Sequence, residues 1–328
     1  MIRACVIGLT AAGGAHAAAY RGDTRSQLVG VCDTETQRAE ELAARLKAPA
    51  FRDLDEMLAT ARPDLVSVCT RGDRIALVRQ VLEAGCHVLC EAPLSREPTP
   101  AREVVALARA RGLCLAADFN LRFTPAVVTA KRWIDDGRVG TPLFINTSLW
   151  WSCAGKSGDP PLLLWRIACH GFDLMRYLCG GIAQAQCFAT QASQGGSWSS
   201  AQMNVRFASD IVGGLTVSTD MAARHPLARC EVAGTTARVV VDNIYEEVAL
   251  YPHAEEDKTV ITNSIFGGLG GYEDTYRCRV ERLLEQLAAS AGPDEIEGSG
   301  ADALAAQASV DAAVASLESG EIAPVTAV

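Results

Sequence analysis

Short apolar runs alternate with amphipathic stretches through the first part of the chain. The pattern predicts strands at Cys5–Gly8, Leu28–Cys32, Leu65–Cys69, His87–Cys90 and Cys114–Asp118. Between them it predicts helices at Ala15–Tyr20, Thr34–Leu46, Ile75–Ala84 and Pro98–Arg111. The apolar runs are near-continuous, as in strands covered on both faces. Strand and helix in alternation imply a parallel, doubly wound sheet.

After Phe119 the pattern changes. Helices are predicted at Thr124–Asp136 and Leu163–Leu178. Strand candidates then follow one another at Gln186–Thr190, Ala201–Phe207, Ile211–Thr219, Arg229–Ala233, Ala237–Val241 and Glu246–Tyr251. Consecutive strands predict a large, mostly antiparallel open sheet with helices on one face. The glycine-rich segment Phe266–Tyr272 reads as a loop, and helices at Tyr272–Ser290 and Ala301–Glu318 close the chain. The expected organisation is α/β: a domain over residues 1–120 and an α+β domain over residues 121–328, with no repeat and no long linker.

Bulk properties narrow the function. The chain has 328 residues, 49% of them apolar, enough for two cored domains. A net charge of -9 argues against nucleic acid or an anionic membrane as partner, since both need a basic patch. The segment Met1–Gly8 runs straight into a strand pattern, without the apolar region of a signal peptide. No apolar run reaches the ~20 residues of a membrane helix. Twelve cysteines include no Cys-x-x-Cys pair, so buried free thiols in a reducing cytoplasm are expected, and no metal site.

The first chemical signal is Gly8-Leu9-Thr10-Ala11-Ala12-Gly13, set between a strand and a helix. Gly8 and Gly13 fit the first and third glycines of a dinucleotide fingerprint, and Thr10 replaces the second. The Thr10 hydroxyl can bond a phosphate, and the helix start supplies amide donors at Ala11 and Ala12. A glycine turn at this place can also be purely structural. Asp33 ends the second strand, twenty residues beyond Gly13. A carboxylate there can accept both adenosine ribose hydroxyls and repel a 2′-phosphate. That predicts NAD over NADP, although Arg38 could swing toward a phosphate. The alternative is that Asp33 only caps the following helix.

Further motifs resemble one family along the whole chain. Gly13 to His16 is similar to its Gly-x-x-His, and Asp33 with Arg38-Ala39 to its Asp-x-x-x-x-Arg-Ala. Glu83-Ala84-Gly85-Cys86-His87-Val88-Leu89-Cys90-Glu91, Phe119-Asn120-Leu121-Arg122-Phe123-Thr124-Pro125 and Gly137-Arg138-Val139-Gly140-Thr141-Pro142 match further motifs, and the last helix is similar too. On these residues the chain resembles the Gfo/Idh/MocA oxidoreductases. The resemblance implies an N-terminal Rossmann domain and a C-terminal domain whose open sheet often forms a homodimer or homotetramer. It implies hydride transfer between nicotinamide and a hydroxyl-bearing carbon of a sugar, cyclitol or related compound. It also extends the cofactor-binding set to Cys69, Thr70, Arg71, Glu91, Ala92 and Asn120, with Glu91 on the nicotinamide-side ribose.

Four positions depart from the family pattern. Ala92 stands at the lysine of Glu-Lys-Pro, Ile75 at a histidine, Thr10 at a glycine and Arg166 at an aspartate. What survives is a stripe: Arg166, His170, Asp173 and Tyr177 at i, i+4, i+7 and i+11 share one helical face. Leu164, Ile167, Phe172, Met175 and Leu178 occupy the other faces and read as core. The stripe can be a solvated surface. With the resemblance it becomes the expected active site: His170 the general acid/base, Arg166 a carboxylate or oxygen contact, and Asp173 an orienter of the imidazole or a substrate contact.

One segment, Leu162 to His170, is similar to 4-carboxy-2-hydroxymuconate semialdehyde dehydrogenases. That branch implies oxidation of a carboxylated cyclic hemiacetal to a lactone, with Arg166, Arg71 and Arg122 as partners of an acidic substrate. Trp165, with Trp150 and Trp151, is expected to line the pocket. A dinucleotide-binding protein without turnover, and a glycosidase or lyase without net redox change, remain alternatives.

Overall fold

The computed structural model describes residues 1–72, 74–151, 164–191, 198–219, 228–265 and 269–326. They form two compact units, residues 1–120 with 271–304 and residues 121–270 with 305–328. The first break falls where the hydrophobic pattern changes. The expected division put all of residues 121–328 in the second domain; here a helix and a turn within residues 271–304, distant in sequence, group with residues 1–120.

The first unit holds six strands: β1 (Ile2–Ile7), β2 (Ser26–Cys32), β3 (Ala50–Phe51), β4 (Leu65–Val68), β5 (His87–Glu91) and β6 (Leu115–Asp118). These strands pair in parallel, in the order β3-β2-β1-β4-β5-β6. The order reverses between β1 and β4, and in such sheets ligands bind beyond the strand C-termini at the reversal. Helices Ala11–Gly22, Thr36–Leu46, Leu54–Ala61, Ile75–Glu83 and Pro98–Ala110 connect the strands. Leu54–Ala61 is too short for a clear periodicity, but Asp53 starts it by accepting the Glu56 amide at 2.9 Å.

The helix Glu273–Ala288 packs against Ala11–Gly22. It adds Val280, Leu283 and Leu284 to a core built on Val6, Val31, Leu65 and Leu89. Its Arg279 is fully buried and donates from Nε to the carbonyl of Ala117 at 3.1 Å, anchoring the returning chain to β6.

The second unit is built on a nine-stranded sheet. Its strands are β7 (Pro142–Trp150), β8 (Ile182–Gln191), β9 (Trp198–Phe207), β10 (Val212–Ser218), β11 (Ala228–Gly234), β12 (Ala237–Asp242), β13 (Glu247–Pro252), β14 (Thr259–Thr262) and β15 (Ala323–Pro324). The order is β14-β13-β12-β11-β7-β10-β9-β8-β15, antiparallel apart from the parallel pair β7–β10. The burial along β9 alternates, with Ala201, Met203, Val205 and Phe207 inside and Gln202, Asn204 and Arg206 outside.

The helix Cys169–Cys179 lies on the inner face. A Cβ at Gly171 would come 2.5 Å from Leu215, and one at Gly213 2.7 Å from Met175, so two glycines let helix and sheet approach closely. The predicted helix Leu163–Leu178 differs at its start. Leu163 lies outside the described residues, and Leu164–Ala168 form a π-helical turn before the α-helix. Part of the predicted loop Phe266–Tyr272, residues 266–268, also lies outside them. Among the described residues no helix is long and apolar enough to cross a membrane, and the eleven described cysteines are unpaired thiols.

Candidate functional site

The turn after β1 forms a cradle that only glycine permits. Gly8 has φ +82°, and a Cβ on it would lie 2.6 Å from the Thr70 nitrogen. A Cβ on Gly13 would lie 2.1 Å from the carbonyl oxygen of Gly8. Thr10 caps the helix Ala11–Gly22: its Oγ1 accepts the Gly13 amide and donates to the carbonyl of Cys69, both at 3.3 Å. The hydroxyl expected to reach a phosphate is thus engaged within the turn. The amides of Ala11 and Ala12 belong to the first helical turn, whose N–H groups point at a ligand. Thr70 contributes a buried Oγ1 with no hydrogen-bond partner among the described residues. A glycine cradle, a helix N-terminus and a partnerless hydroxyl together fit a dinucleotide pyrophosphate.

Asp33 sits at the end of β2 and is 6% exposed. Its Oδ2 accepts the Leu9 amide at 2.8 Å and its Oδ1 the Glu35 amide at 2.9 Å. Arg38 lies 3.2 Å from Oδ2 and 2.6 Å from Glu35. Burial works against the charge, but the two amides and Arg38 outweigh it and hold the Asp33 carboxyl below the usual range. An ionised carboxylate offers about four acceptor sites. Three donors already use it, so the geometry supports one ribose hydroxyl more readily than the expected two. Arg38, expected as able to swing toward a phosphate, is paired here with Asp33 and Glu35. Asp33→Ala is expected to weaken NAD binding by about tenfold or more, through one lost charge-assisted hydrogen bond, and to narrow the preference over NADP. Unchanged dissociation constants for both nucleotides would remove Asp33 from cofactor recognition.

On the other side of the reversal, a buried polar cluster closes the ends of β4, β5 and β6. His16 is fully buried. Its Nε2 is 3.0 Å from Asp118 Oδ2 and 3.9 Å from Glu91 Oε1. Its Nδ1 is 3.0 Å from the Ser67 hydroxyl, which pairs with the Tyr20 hydroxyl at 2.7 Å. Tyr276 stacks at an angle on the imidazole, 5.6 Å between centroids. Burial opposes a charge on His16, yet Asp118 and Glu91 together raise its pKa. Burial, reinforced by Asp118, pushes Glu91 up to about 8, while His16 holds Asp118 low.

Donor atoms of His16, Cys69 and Glu91 lie within 4.8 Å of one another. Both imidazole nitrogens are already engaged by Asp118 and Ser67, and burial pushes the Cys69 thiol well up, so the set suits hydrogen bonding better than a metal.

Arg74 ties the segments after β4 and β5 together, donating to Thr70 O at 2.7 Å and Pro93 O at 3.0 Å. Ala92, the residue before Pro93, is buried, and Arg71 is exposed. Asn120 is buried, with its Nδ2 donating to Thr275 Oγ1 at 2.7 Å, so it is tied inside the unit. Sequence reasoning assigned no role to Ser67, Asp118 or Tyr276. A polar residue inside one buried strand and an acid ending another were the available signal.

In the second unit the expected stripe divides. Arg166 is exposed and His170 half-buried, but Asp173 is 1% exposed. Asp173 is gripped by Arg122, whose Nε donates to Oδ2 at 2.5 Å and whose second nitrogen donates to Oδ1. The Arg122 guanidinium also lies over the Tyr177 ring, 5.1 Å from its centroid. Arg122, expected on substrate, and Asp173, expected on the imidazole or the substrate, are bound to each other. A buried cation needs a buried anion, and nothing in the spacing of 51 residues announces that pairing. Trp165, expected as a pocket wall, is 9% exposed, one of the buried residues of the π turn with Leu164, Ile167 and Ala168.

Comparison with known proteins agrees with this geometry. The family profile described as "Oxidoreductase family, NAD-binding Rossmann fold" matches residues 2–119. The "GFO/IDH/MocA C-terminal domain" profile matches residues 127–240. The chain is 32% identical over 212 residues to D-glucoside 3-dehydrogenase of Escherichia coli (strain K12), covering 58% of this chain and 60% of that enzyme. It is 26% identical to inositol 2-dehydrogenase of Rhizobium meliloti (strain 1021), over 96% of this chain and 97% of that one. In fold it is similar to levoglucosan dehydrogenase in complex with NADH, with a TM-score of 0.88, 20% identity and 100% coverage of both chains.

Proposed function

The chain belongs to the Gfo/Idh/MocA family of NAD-binding oxidoreductases, and on that premise we propose that it is an NAD-dependent dehydrogenase or reductase acting on a CH–OH group of a sugar, cyclitol or related cyclic hydroxy compound. The observation that carries the reading is the cradle of Gly8, Gly13 and Thr70 facing Asp33 across the ends of β1, β2 and β4. Nicotinamide, when bound, accepts or returns the hydride. The chain's own work is to hold the dinucleotide, to orient the substrate and to move the hydroxyl proton.

Gly8, Gly13 and the Ala11 and Ala12 amides hold the pyrophosphate, Asp33 the adenosine ribose, and Thr70 with Glu91 the opposite half. His170 takes the proton from the hydroxyl whose carbon loses hydride and returns it in the reverse direction. An imidazole suits this because its ordinary pKa lies near neutrality. Arg166 supplies a guanidinium for a substrate oxygen. Its exposure on the π turn just before the helix that carries His170 also favours a second substrate class, carboxylated cyclic hemiacetals oxidised to lactones, for which a planar cation forms two parallel hydrogen bonds.

The open face of the second unit is assigned to self-association. Phe144, Phe188, Val212 and Ile322 are exposed there, and a depression of about 650 Å³ is lined by Phe144, Gln202, Asn204, Val212 and Ile322. Such a mixed apolar and amide surface suits a second copy of the sheet, giving a dimer or tetramer. The unpaired thiols suit a reducing compartment such as the cytoplasm.

Titration of the purified protein with NADH and NADPH, by fluorescence or calorimetry, tests the reading. Micromolar NADH binding, weaker NADPH binding and NADH formation with a sugar, cyclitol or hemiacetal support it. Folded protein that binds neither nucleotide overturns it.

A further inference from the structure

Glu91 and Asp118 end neighbouring parallel strands and are register partners across β5 and β6. Asp118 is fully buried and the Glu91 side chain is 17% exposed. Glu91 Oε1 and Asp118 Oδ1 are both buried, and neither finds a donor among the described residues. Both carboxyl groups also meet one imidazole nitrogen, with Asp118 Oδ2 3.0 Å and Glu91 Oε1 3.9 Å from His16 Nε2, and two ionised carboxylates buried this close repel each other. A single proton between them relieves that repulsion and gives the orphaned oxygens a donor. His16 and Arg279 stabilise charge on Asp118, so the proton resides on Glu91, the member that reaches the sheet's C-terminal edge.

That edge belongs to the second mononucleotide half of the fold. Asp33 at the end of β2 marks the adenosine half, and the two-fold repeat of such sheets puts the other half over β4, β5 and β6. This step rests on the NAD-binding reading above. The nicotinamide ring carries a positive charge when oxidised and none when reduced.

We propose that Glu91 and Asp118 hold a single proton under the nicotinamide half of the cofactor, and that this proton makes Glu91 the residue that discriminates NAD+ from NADH. It is retained with the neutral reduced ring and released with the cationic oxidised ring. Other titratable and charged groups also face Glu91. His16, from the helix Ala11–Gly22, is paired with Asp118, and Asp118 with Glu91 raises its pKa against the effect of burial. Arg74, ahead of the helix Ile75–Glu83, and Arg279, from Glu273–Ala288, are permanent cations. Cys69 and Cys90, on and after the neighbouring strands, stay neutral because burial pushes their thiols up. Tyr272 and Tyr276 are kept neutral in the same way.

The sign follows by linkage. A cation beside Glu91 favours its ionised form, so NAD+ affinity rises as pH climbs through the range where Glu91 titrates, around 8. NADH gains nothing from that ionisation. If the oxidised ring shifts Glu91 by one pKa unit, the NAD+ to NADH affinity ratio rises about tenfold between about pH 6.5 and 9.5.

Dissociation constants for both nucleotides across that range, in wild type and Glu91→Gln, provide the test. Glutamine keeps the shape of the protonated acid and cannot ionise. The expected result is a rising ratio in wild type and a flat one in Glu91→Gln, with NADH still bound. Calorimetry of wild type in two buffers of different ionisation enthalpy gives an independent reading, expected to show proton release with NAD+ and not with NADH. A constant ratio in wild type, an equal slope in Glu91→Gln, or equal proton release with both nucleotides overturns the proposal. Binding of neither nucleotide at any pH overturns the cofactor reading and this proposal with it, and is distinguished by the absence of any ratio to measure.

Discussion

Replacing Asp173 with alanine is expected to lower folding stability by about 3–5 kcal/mol, read from denaturant or thermal unfolding. The reason is the state in which it leaves Arg122. That guanidinium is 4% exposed and donates two hydrogen bonds to the Asp173 carboxylate. Without the carboxylate, a permanent charge stays buried with its main anion gone, and Arg122 cannot escape by losing a proton. Asp173→Asn keeps the shape and one acceptor, so it should lose less. Replacing both partners by apolar residues of similar size should recover much of the loss, because the desolvation cost of the ions disappears with them. A loss below about 1 kcal/mol in Asp173→Ala would place the pair among weakly coupled surface ion pairs, contrary to its burial. The helix Cys169–Cys179 carries His170 three residues before Asp173, so loosening this anchor should also disturb the imidazole.

How legible each part was depends on whether the signal was local. The parallel sheet was legible because each strand is buried on both faces, and runs such as Ala4 to Ile7 carry no polar interruption. β7 escaped because apolar residues occupy both faces at its start, Leu143 on the side of Ile145 and Phe144 on the other. Leu143 is 51% exposed and Phe144 37%, so the alternation that marks a half-buried strand is erased at its start. Phe144 also belongs to the open face assigned to self-association, which is why a local rule failed there.

The cofactor cradle was legible because it rests on consecutive residues, Gly8 to Gly13, with Asp33 at a fixed distance. The Glu91–Asp118–His16 cluster was not. Its members come from three elements separated by up to 102 residues, and only the parallel register brings Glu91 and Asp118 side by side. The Arg122–Asp173 pair has the same origin. Helical spacing put Arg166, His170, Asp173 and Tyr177 along one side; Asp173 and Tyr177 both meet Arg122, and the spacing could not show that an arginine from another segment covers them.

That division concentrates the proposed chemistry on one residue. With Asp173 committed to Arg122 and Ala92 unable to titrate, His170 is the group of the stripe suited to exchanging a proton near neutrality. His170→Ala is expected to lower kcat by about 10²–10⁴-fold, the range typical of losing a general acid/base. NADH affinity should stay within about twofold of wild type, since every group assigned to the dinucleotide lies in residues 1–120, and a binding change that small costs under 1 kcal/mol. Three readouts separate a chemical role from a structural one. The limb of the pH–rate profile contributed by the imidazole should vanish, added imidazole should restore part of the rate, and the unfolding midpoint should barely move. Full turnover in His170→Ala would remove the residue from the mechanism. A parallel loss of stability and turnover, with no change in the shape of the pH profile, would reduce it to a packing residue of its helix.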